Sequence, residues 1–445
     1  MTNAHVVRGV ALTAIAVSAG ALVLLLRPAG RSPLISIYAE DLTVYIVQAL
    51  ASPWHLFASY AGYLQLLPRL IGQLAALLPL HDAALVFAMS GAITASAVAA
   101  FVFHASAGHV RSAGLRALLA AAVLLLPVAP LAIADNGVNT PWYLLFALFW
   151  AVLWRPRTRA GMAGAAVIGF ITMASNPLAL TLAPLLAVRV AALRGVREHA
   201  VTAGWALGLA VQIPAIIAAR RSRVGETADP RHVLAFIAHE VVLPAFGWHL
   251  DWWLQAAVGR KGALLVTGVV LGAVLGAILI TASARVRFFA AAALVTALLL
   301  ASVAATLSWW VTILPASFTA EPGSRYSTLP IFLIESIAIV AVDAAVRRAG
   351  DRELSARLFT PRTLAPGARP ARPRAAAAAV IALAVMLSVG WVTDFRNPHG
   401  RAPAEPWSQV TATWLAACGH SADGTIRVPS TGAGYVRIRC SGLRS

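Results

Sequence analysis

The sequence predicts an all-α polytopic membrane protein, and three observations carry that reading. Sixty percent of the 445 residues are hydrophobic and only 12% are charged, well below the charged share of a soluble domain, and mean hydropathy is +0.78. Apolar runs near 20 residues recur along the whole chain, the length a helix needs to cross a hydrocarbon core of about 30 Å. The arginines concentrate in short segments between those runs, as cytoplasmic loops do. The net charge of +18, from 35 Lys+Arg against 17 Asp+Glu, therefore reads as membrane orientation. Nucleic acid is not an expected partner, because no aromatic-basic face accompanies the charge.

The first run, about residues 10 to 26, follows Arg8. It is longer than a signal-peptide core and no convincing cleavage site follows, so it is expected to stay as the first span. Ten more spans are expected at about 83 to 104, 117 to 134, 139 to 154, 160 to 175, 177 to 193, 201 to 218, 262 to 281, 288 to 308, 329 to 346 and 375 to 393. They place a membrane domain over residues 1 to 393 and a tail over 394 to 445.

Parity then sets orientation. With the N-terminus inside, the segments carrying Arg111 and Arg116, Arg155, Arg157 and Arg159, Arg194 and Arg197, and Arg285 and Arg287 all fall on the cytoplasmic side. So does the basic loop 347 to 374, with its eight arginines. The scheme requires that residues 62 to 80 do not span. Gln65, Pro68, Arg69 and Gln73 suit a helix lying at the interface within a first outer loop of about 27 to 82. Arg220, Arg221 and Arg223 fall outside, in a loop of about 43 residues, and loops of that length are less bound by the rule. Twelve of the 17 carboxylates land outside, so the functional face is expected there, and the C-terminus is outside too.

The tail holds the only two cysteines, Cys418 and Cys440. Outside the cytoplasm such a pair is expected to form a disulfide, and closing about 22 residues contributes about 3 kcal/mol by loop entropy. A helix over 407 to 417 and two short strands, TIRVPS and GYVRIRC, are expected beside it.

Candidate chemistry gathers at the outer face. Glu40 and Asp41 follow the first span; a partly desolvated carboxylate there can accept a hydroxyl proton at neutral pH, although two acids at that point serve equally as a solvated helix cap. Tyr38, Tyr45, Trp54, Phe57, Tyr60 and Tyr63 surround them in the manner of an interfacial aromatic belt, and His55 joins the substrate-binding candidates. In DNGVNTPW, Thr140 and Pro141 start a helix, and Asp135, Asn136, Asn139 and Trp142 lie at its mouth, for capping or for hydroxyl recognition. In GSRYSTLP, Arg325 beside Tyr326 offers a planar fork for phosphate oxygens or a snorkelling anchor. Arg69, inside an apolar stretch, is a second phosphate candidate.

Glu335 lies in mid-span, where an unpartnered carboxylate costs on the order of 3 kcal/mol. Asp343 is placed to pair with Arg347. His232, His239, His249 and Asp251 share an outer loop without the HExxH zinc spacing.

Taken together, the acidic pair, GYLQLLPRL, NTPW, SNPLALTLAPL and the late outer SRY resemble the GT-C superfamily of polytopic glycosyltransferases over about residues 8 to 346. The resemblance implies a bacterial cytoplasmic-membrane enzyme whose active site faces the extracytoplasmic side. It implies a sugar donor on a polyprenyl-phosphate carrier, a glycan or lipid acceptor, and surrounding membrane lipid. It makes Asp41, with Glu40 beside it, the general base or the ligand of a divalent cation, and Arg325 the carrier-phosphate partner. No other cofactor is implied. The absence of a large C-terminal soluble domain sets the chain apart from the branches that glycosylate peptides. The competing expectation is a transporter or flippase of lipid-linked or polysaccharide precursors, which would account for Glu335.

Overall fold

The computed structural model describes residues 3–38, 40–127, 135–220, 233–234, 236–307, 324–359, 372–396, 405–419, 425–430 and 434–440. Each of the eleven apolar stretches carries helix. They are α1 (Asn3–Leu25), then α3 (Ala83–Ala105), α4 (Ala113–Leu125), α5 (Thr140–Leu153), α6 (Arg159–Ser175), α7 (Ala183–Ala192), α8 (Ala200–Arg220), α9 (Trp248–Thr281), α10 (Ala284–Leu307), α11 (Ser324–Phe359) and α12 (Arg372–Thr393). The first outer segment contributes α2 (Leu66–Ala76), and the tail α13 (Trp407–Gly419).

Six of these, α1, α3, α8, α9, α10 and α11, are long and apolar enough to cross a membrane by length and composition. Such a set is that of a multi-pass membrane protein. Helices α4, α5, α6 and α7 are shorter, at 10 to 17 residues, while α12 has 22. Helix α5 has 14 residues, about 21 Å at 1.5 Å per residue, but its whole length from Thr140 to Val152 is buried. A helix that is apolar all round belongs inside a bundle, and there it stacks Phe146 on Phe332 of α11 at 4.7 Å and sets Trp150 against Phe289 of α10 at 5.3 Å. The span expected at 177 to 193 begins as a 3-10 turn, Pro177–Leu182, because Pro177 and Pro184 donate no backbone hydrogen bond.

Helix α2 has 11 residues, about 16 Å, too short to cross about 30 Å. It buries Ile71 and Ala75 and exposes Leu70, Leu74 and Leu77, the two-faced pattern of an interfacial helix.

Two expected boundaries are corrected. Helix α9 starts at Trp248, well before residue 262, and bends at Gly259, where φ is 72°. Helix α11 runs to Phe359 through much of the expected basic loop 347 to 374. Its continuation holds four Arg, two Ala and two Leu, strong helix formers, and the expected Asp343–Arg347 ion pair forms one turn apart at 3.1 Å. Residues 360 to 371, like Arg221, Arg223, Glu226, Asp229, His232, Glu321 and Asp423, lie outside the described residues.

Polar contacts define two ends of the bundle. At one, Arg27 is fully buried and donates to the carbonyls of Leu124 at 2.6 Å and Leu126 at 2.9 Å, the unsatisfied end of α4, and to Phe395 after α12 at 3.4 Å. Burial lowers its pKa to about 10, opposed by Tyr143, Asp135 and Asp394, so it stays charged. At the same end Asp394 accepts the Trp248 and His249 amides at 2.8 and 3.3 Å and caps the start of α9. At the other end Asp343 accepts the Arg111 and Ser112 amides at 3.1 and 2.9 Å, Arg285 donates to the Gly108 carbonyl, and Arg189 reaches the Val152 carbonyl and Glu198. The loops that charge sorted apart are thus gathered at opposite ends.

The tail folds as expected. Cys418 and Cys440 form a disulfide, and β3 and β4 (Thr425–Ser430 and Gly434–Arg439) pair antiparallel with Thr425 opposite Arg439. Trp407 donates to the Leu80 carbonyl at 2.7 Å, and Trp407 and Trp414 pack with Tyr45, Phe87 and Val138. The tail is therefore docked on the first outer segment.

Candidate functional site

The acidic pair opens a π-helical stretch, Asp41–Ile46, that continues as Val47–Ala51. Such wide turns are rare and recur at functional sites. Asp41 is fully buried, and its two oxygens accept the amides of Gly137 at 3.1 Å and Val138 at 2.8 Å. A carboxylate taking two loop amides fixes that loop, since charge-assisted bonds are the strong ones. The loop fixes itself further: Asn136 accepts the Asn139 amide at 3.0 Å, and Thr140 donates to the Gly137 carbonyl at 2.8 Å. It lies flat on α3 because Gly91 has no side chain; a Cβ there would sit 2.7 Å from the Asn136 nitrogen. Asn139 is thereby held at the start of α5.

A second wall comes from β1 and β2 (Ser59–Tyr60 and Tyr63–Leu64). Their two-residue turn has φ of 54° at Ala61 and 88° at Gly62. Two positive values suit a hairpin turn; Gly62 adopts its value freely, while Ala61 stores about 1 kcal/mol of strain. Gln212 of α8 clamps this hairpin, accepting the Leu64 amide at 2.9 Å and donating to its carbonyl at 2.7 Å. Ser175 at the end of α6 accepts the Leu67 amide at 2.9 Å, and Tyr45 donates to Gln65.

These walls enclose a cavity of about 970 Å³, with Glu40, Tyr63, Asn139, Asn176, Arg325 and Tyr326 among its polar lining. Leu178, Leu180, Ile216, Leu299 and Val303 supply apolar lining from three separate segments. The Arg325 guanidinium lies 5.2 Å from the Tyr326 ring, which sets edge-on to Trp142 at 4.9 Å. The Arg325 Nε is buried and finds no acceptor among the described residues. Burial raises the Tyr63 pKa, with Tyr326 and Glu40 adding to it and Arg325 opposing; burial and Glu40 do the same for Tyr60 against Arg325. Both phenols therefore stay protonated, and Glu40 and Arg325 share one electrostatic neighbourhood.

Of the residues singled out in the sequence, Glu40, Asn139, Trp142, Arg325 and Tyr326 line this cavity. Asp41 and Asn136 are placed differently: both are buried in the bonds that build the loop behind its wall. Arg69, expected as a second phosphate partner, lies apart from the cavity lining, and its Nε and Nη2 find no acceptor among the described residues. It is buried, donates to Gln48 at 2.8 Å and to the His55 carbonyl at 2.6 Å, and lies 5.9 Å over the Tyr45 ring. Its guanidinium, and His55 with it, brace the first outer segment and do not line the cavity. Asp41 fits a divalent cation poorly, because both oxygens already accept amides, and no group of three His, Cys, Asp or Glu gathers among the described residues. His249 pairs with Asp394, and Asp251 accepts from Gln255 at 2.9 Å, both away from the cavity.

Sequence reasoning assigned no binding role to Tyr63, Gln65, Asn176 or Thr181, all of which line the cavity. The signal lay in the motifs GYLQLLPRL and SNPLALTLAPL, where polar residues interrupt apolar runs. No family model and no curated protein matches the chain.

Proposed function

We propose that the chain is a membrane glycosyltransferase of the GT-C kind, with eleven spans, the N-terminus inside and the cavity on the extracytoplasmic side. It moves a sugar from a polyprenyl-phosphate carrier to a glycan or lipid acceptor. The observation that carries this reading is the meeting of one carboxylate, Glu40, and one cation, Arg325, in a cavity whose remaining lining is largely apolar. Such a cavity takes an amphiphile with an anionic head.

The roles follow from placement. Glu40 faces the cavity while the oxygens of its neighbour Asp41 hold the loop, so Glu40 is the base and Asp41 positions Asn139. The acceptor hydroxyl gives its proton to Glu40, and its oxygen attacks the anomeric carbon. The bond from that carbon to the phosphate oxygen breaks, and polyprenyl phosphate leaves with the electron pair, inverting the sugar. Arg325 receives the charge that develops on the phosphate, with Tyr63 and Tyr326 as nearby hydroxyl donors. Asn139 and Asn176 offer amides to sugar hydroxyls. Leu178, Ile216 and Leu299 suit the first isoprene units.

Binding of a fluorescent polyprenyl phosphate to the purified chain tests this reading. Arg325→Gln is expected to weaken it at least tenfold, since a charge-assisted bond contributes about 1.5–3 kcal/mol; unchanged affinity would count against the phosphate role. Glu335 supports the competing transport reading: it is buried in α11, and its Oε2 has no partner among the described residues. A glycosyltransferase should tolerate Glu335→Gln, and a proton-coupled carrier should not.

A further inference from the structure

We propose that the end of the bundle opposite the Glu40 cavity holds a second site, a basic cavity that binds a phosphate-class anion. Three stretches distant in sequence converge on a space of about 210 Å³: His109 and Arg111 before α4, Ser283 and Arg285 at the start of α10, and Arg347 and Arg348 on α11. That is room for about seven waters at ~30 Å³ each, or for a phosphate group with part of its hydration.

Among the described residues, cations outnumber carboxylates at the cavity. Asp343 is the acid beside it among those residues, and Asp343 is already engaged by the Arg111 and Ser112 amides and by Arg347 at 3.1 Å. No carboxylate among the described residues lines the cavity, and the ion pairs among them include neither Arg111 nor Arg285. Arg285 donates to the Gly108 carbonyl, a neutral acceptor that fixes the guanidinium without cancelling its charge. The first turn of α10, 24 residues long, adds the positive end of its dipole. His109 stays neutral, because burial and then Arg285 lower its pKa to about 4; it adds a hydrogen-bonding edge and no further cation.

A basic loop that only marks sidedness is a solvated fringe. Here backbone bonds to Asp343 and Gly108 hold three such stretches around one concavity, the arrangement that recognises an anionic head between helices. The chemistry is shared by an anionic phospholipid headgroup and by free phosphate. The inference uses the helical bundle alone and does not rest on the glycosyltransferase reading.

The test is equilibrium binding to the full chain in neutral detergent, with short-chain phosphatidylglycerol, short-chain phosphatidylcholine and inorganic phosphate as probes. Saturable binding of phosphatidylglycerol, with phosphatidylcholine inert, supports a lipid head as occupant. Saturable binding of inorganic phosphate at comparable affinity supports a free anion. In either case Arg111→Gln should weaken binding about fivefold and the Arg111→Gln/Arg285→Gln pair about 30-fold, from about 1 kcal/mol per arginine. The exposed Arg111 side chain makes the single variant informative even where the pair unfolds. Absence of saturable binding by both anions overturns the proposal, as does equal binding by wild type and Arg111→Gln.

Discussion

Replacing Asp41 separates a residue that builds the site from one that performs chemistry in it. Its carboxylate is fully buried and receives the Gly137 and Val138 amides at 3.1 and 2.8 Å. Asp41→Ala leaves two buried amides without an acceptor, at about 1–3 kcal/mol each, so the loop at 135 to 140 loses about 3–4 kcal/mol of local stability. Two bonds survive, Asn139 to Asn136 and Thr140 to Gly137, which confines the damage to the loop. Asp41→Asn keeps one acceptor oxygen but turns an amide donor toward a backbone donor, and should lose about half as much. Hydrogen exchange read by mass spectrometry on peptides covering 135 to 140 measures this directly. At about 1.4 kcal/mol per decade, Asp41→Ala should speed exchange there at least a hundredfold and leave α10 unchanged. If Asp41→Asn abolished transfer while loop protection stayed as in wild type, Asp41 would be the base and the role given to Glu40 would be wrong.

Further outcomes are expected. Gly91→Ala puts a Cβ 2.7 Å from the Asn136 nitrogen, so thermal unfolding should report about 1–3 kcal/mol of destabilisation, with transfer falling as Asn139 moves. Glu240, half-buried in the turn Ile237–Val242, has its pKa raised from 4.5 to about 7 by burial. The folded state then holds a proton that the unfolded state releases between those values, so its contribution to stability falls as pH rises from about 4.5 to about 7. The stability difference between wild type and Glu240→Gln should change over that window and be flat on either side; a flat difference throughout would refute the burial assigned to this acid. Cys418→Ser should cost the tail about 3 kcal/mol and loosen α13 from Leu80, seen as faster exchange over 407 to 419 with the cavity loop unaffected.

Much of the fold was legible because membrane helices announce themselves by apolar length alone, and every stretch marked on that basis carries helix. Ends were less legible. Trp248 to Gly259 and Arg347 to Phe359 carry polar residues that hydropathy discards, yet the first is capped by Asp394 and the second has strong helix formers. At the site, the sequence motifs identified which segments meet, as Glu40, Asn139 and Arg325 do. They did not distinguish Glu40 from Asp41. Neighbours on a helix point about 100° apart, and the π-helical turn that sets their direction has no reliable sequence signature. The place of Arg69 was illegible for a related reason: its Nη1 donates to Gln48 and the His55 carbonyl, contacts that spacing along the chain does not reveal, while its Nε and Nη2 find no acceptor among the described residues.

In the proposed mechanism Glu40 activates a hydroxyl against a polyprenyl-phosphate sugar held by Arg325. The most direct measurement is release of polyprenyl phosphate from a panel of labelled polyprenyl-phosphate hexoses and pentoses, comparing purified wild type with Glu40→Gln in lipid nanodiscs that contain cell-envelope acceptor extract. Wild type should release carrier from one donor, and Glu40→Gln should do so at least about a hundredfold more slowly with an unchanged unfolding temperature. Wild-type turnover by a folded Glu40→Gln, or no release from any donor by wild type, would contradict the account.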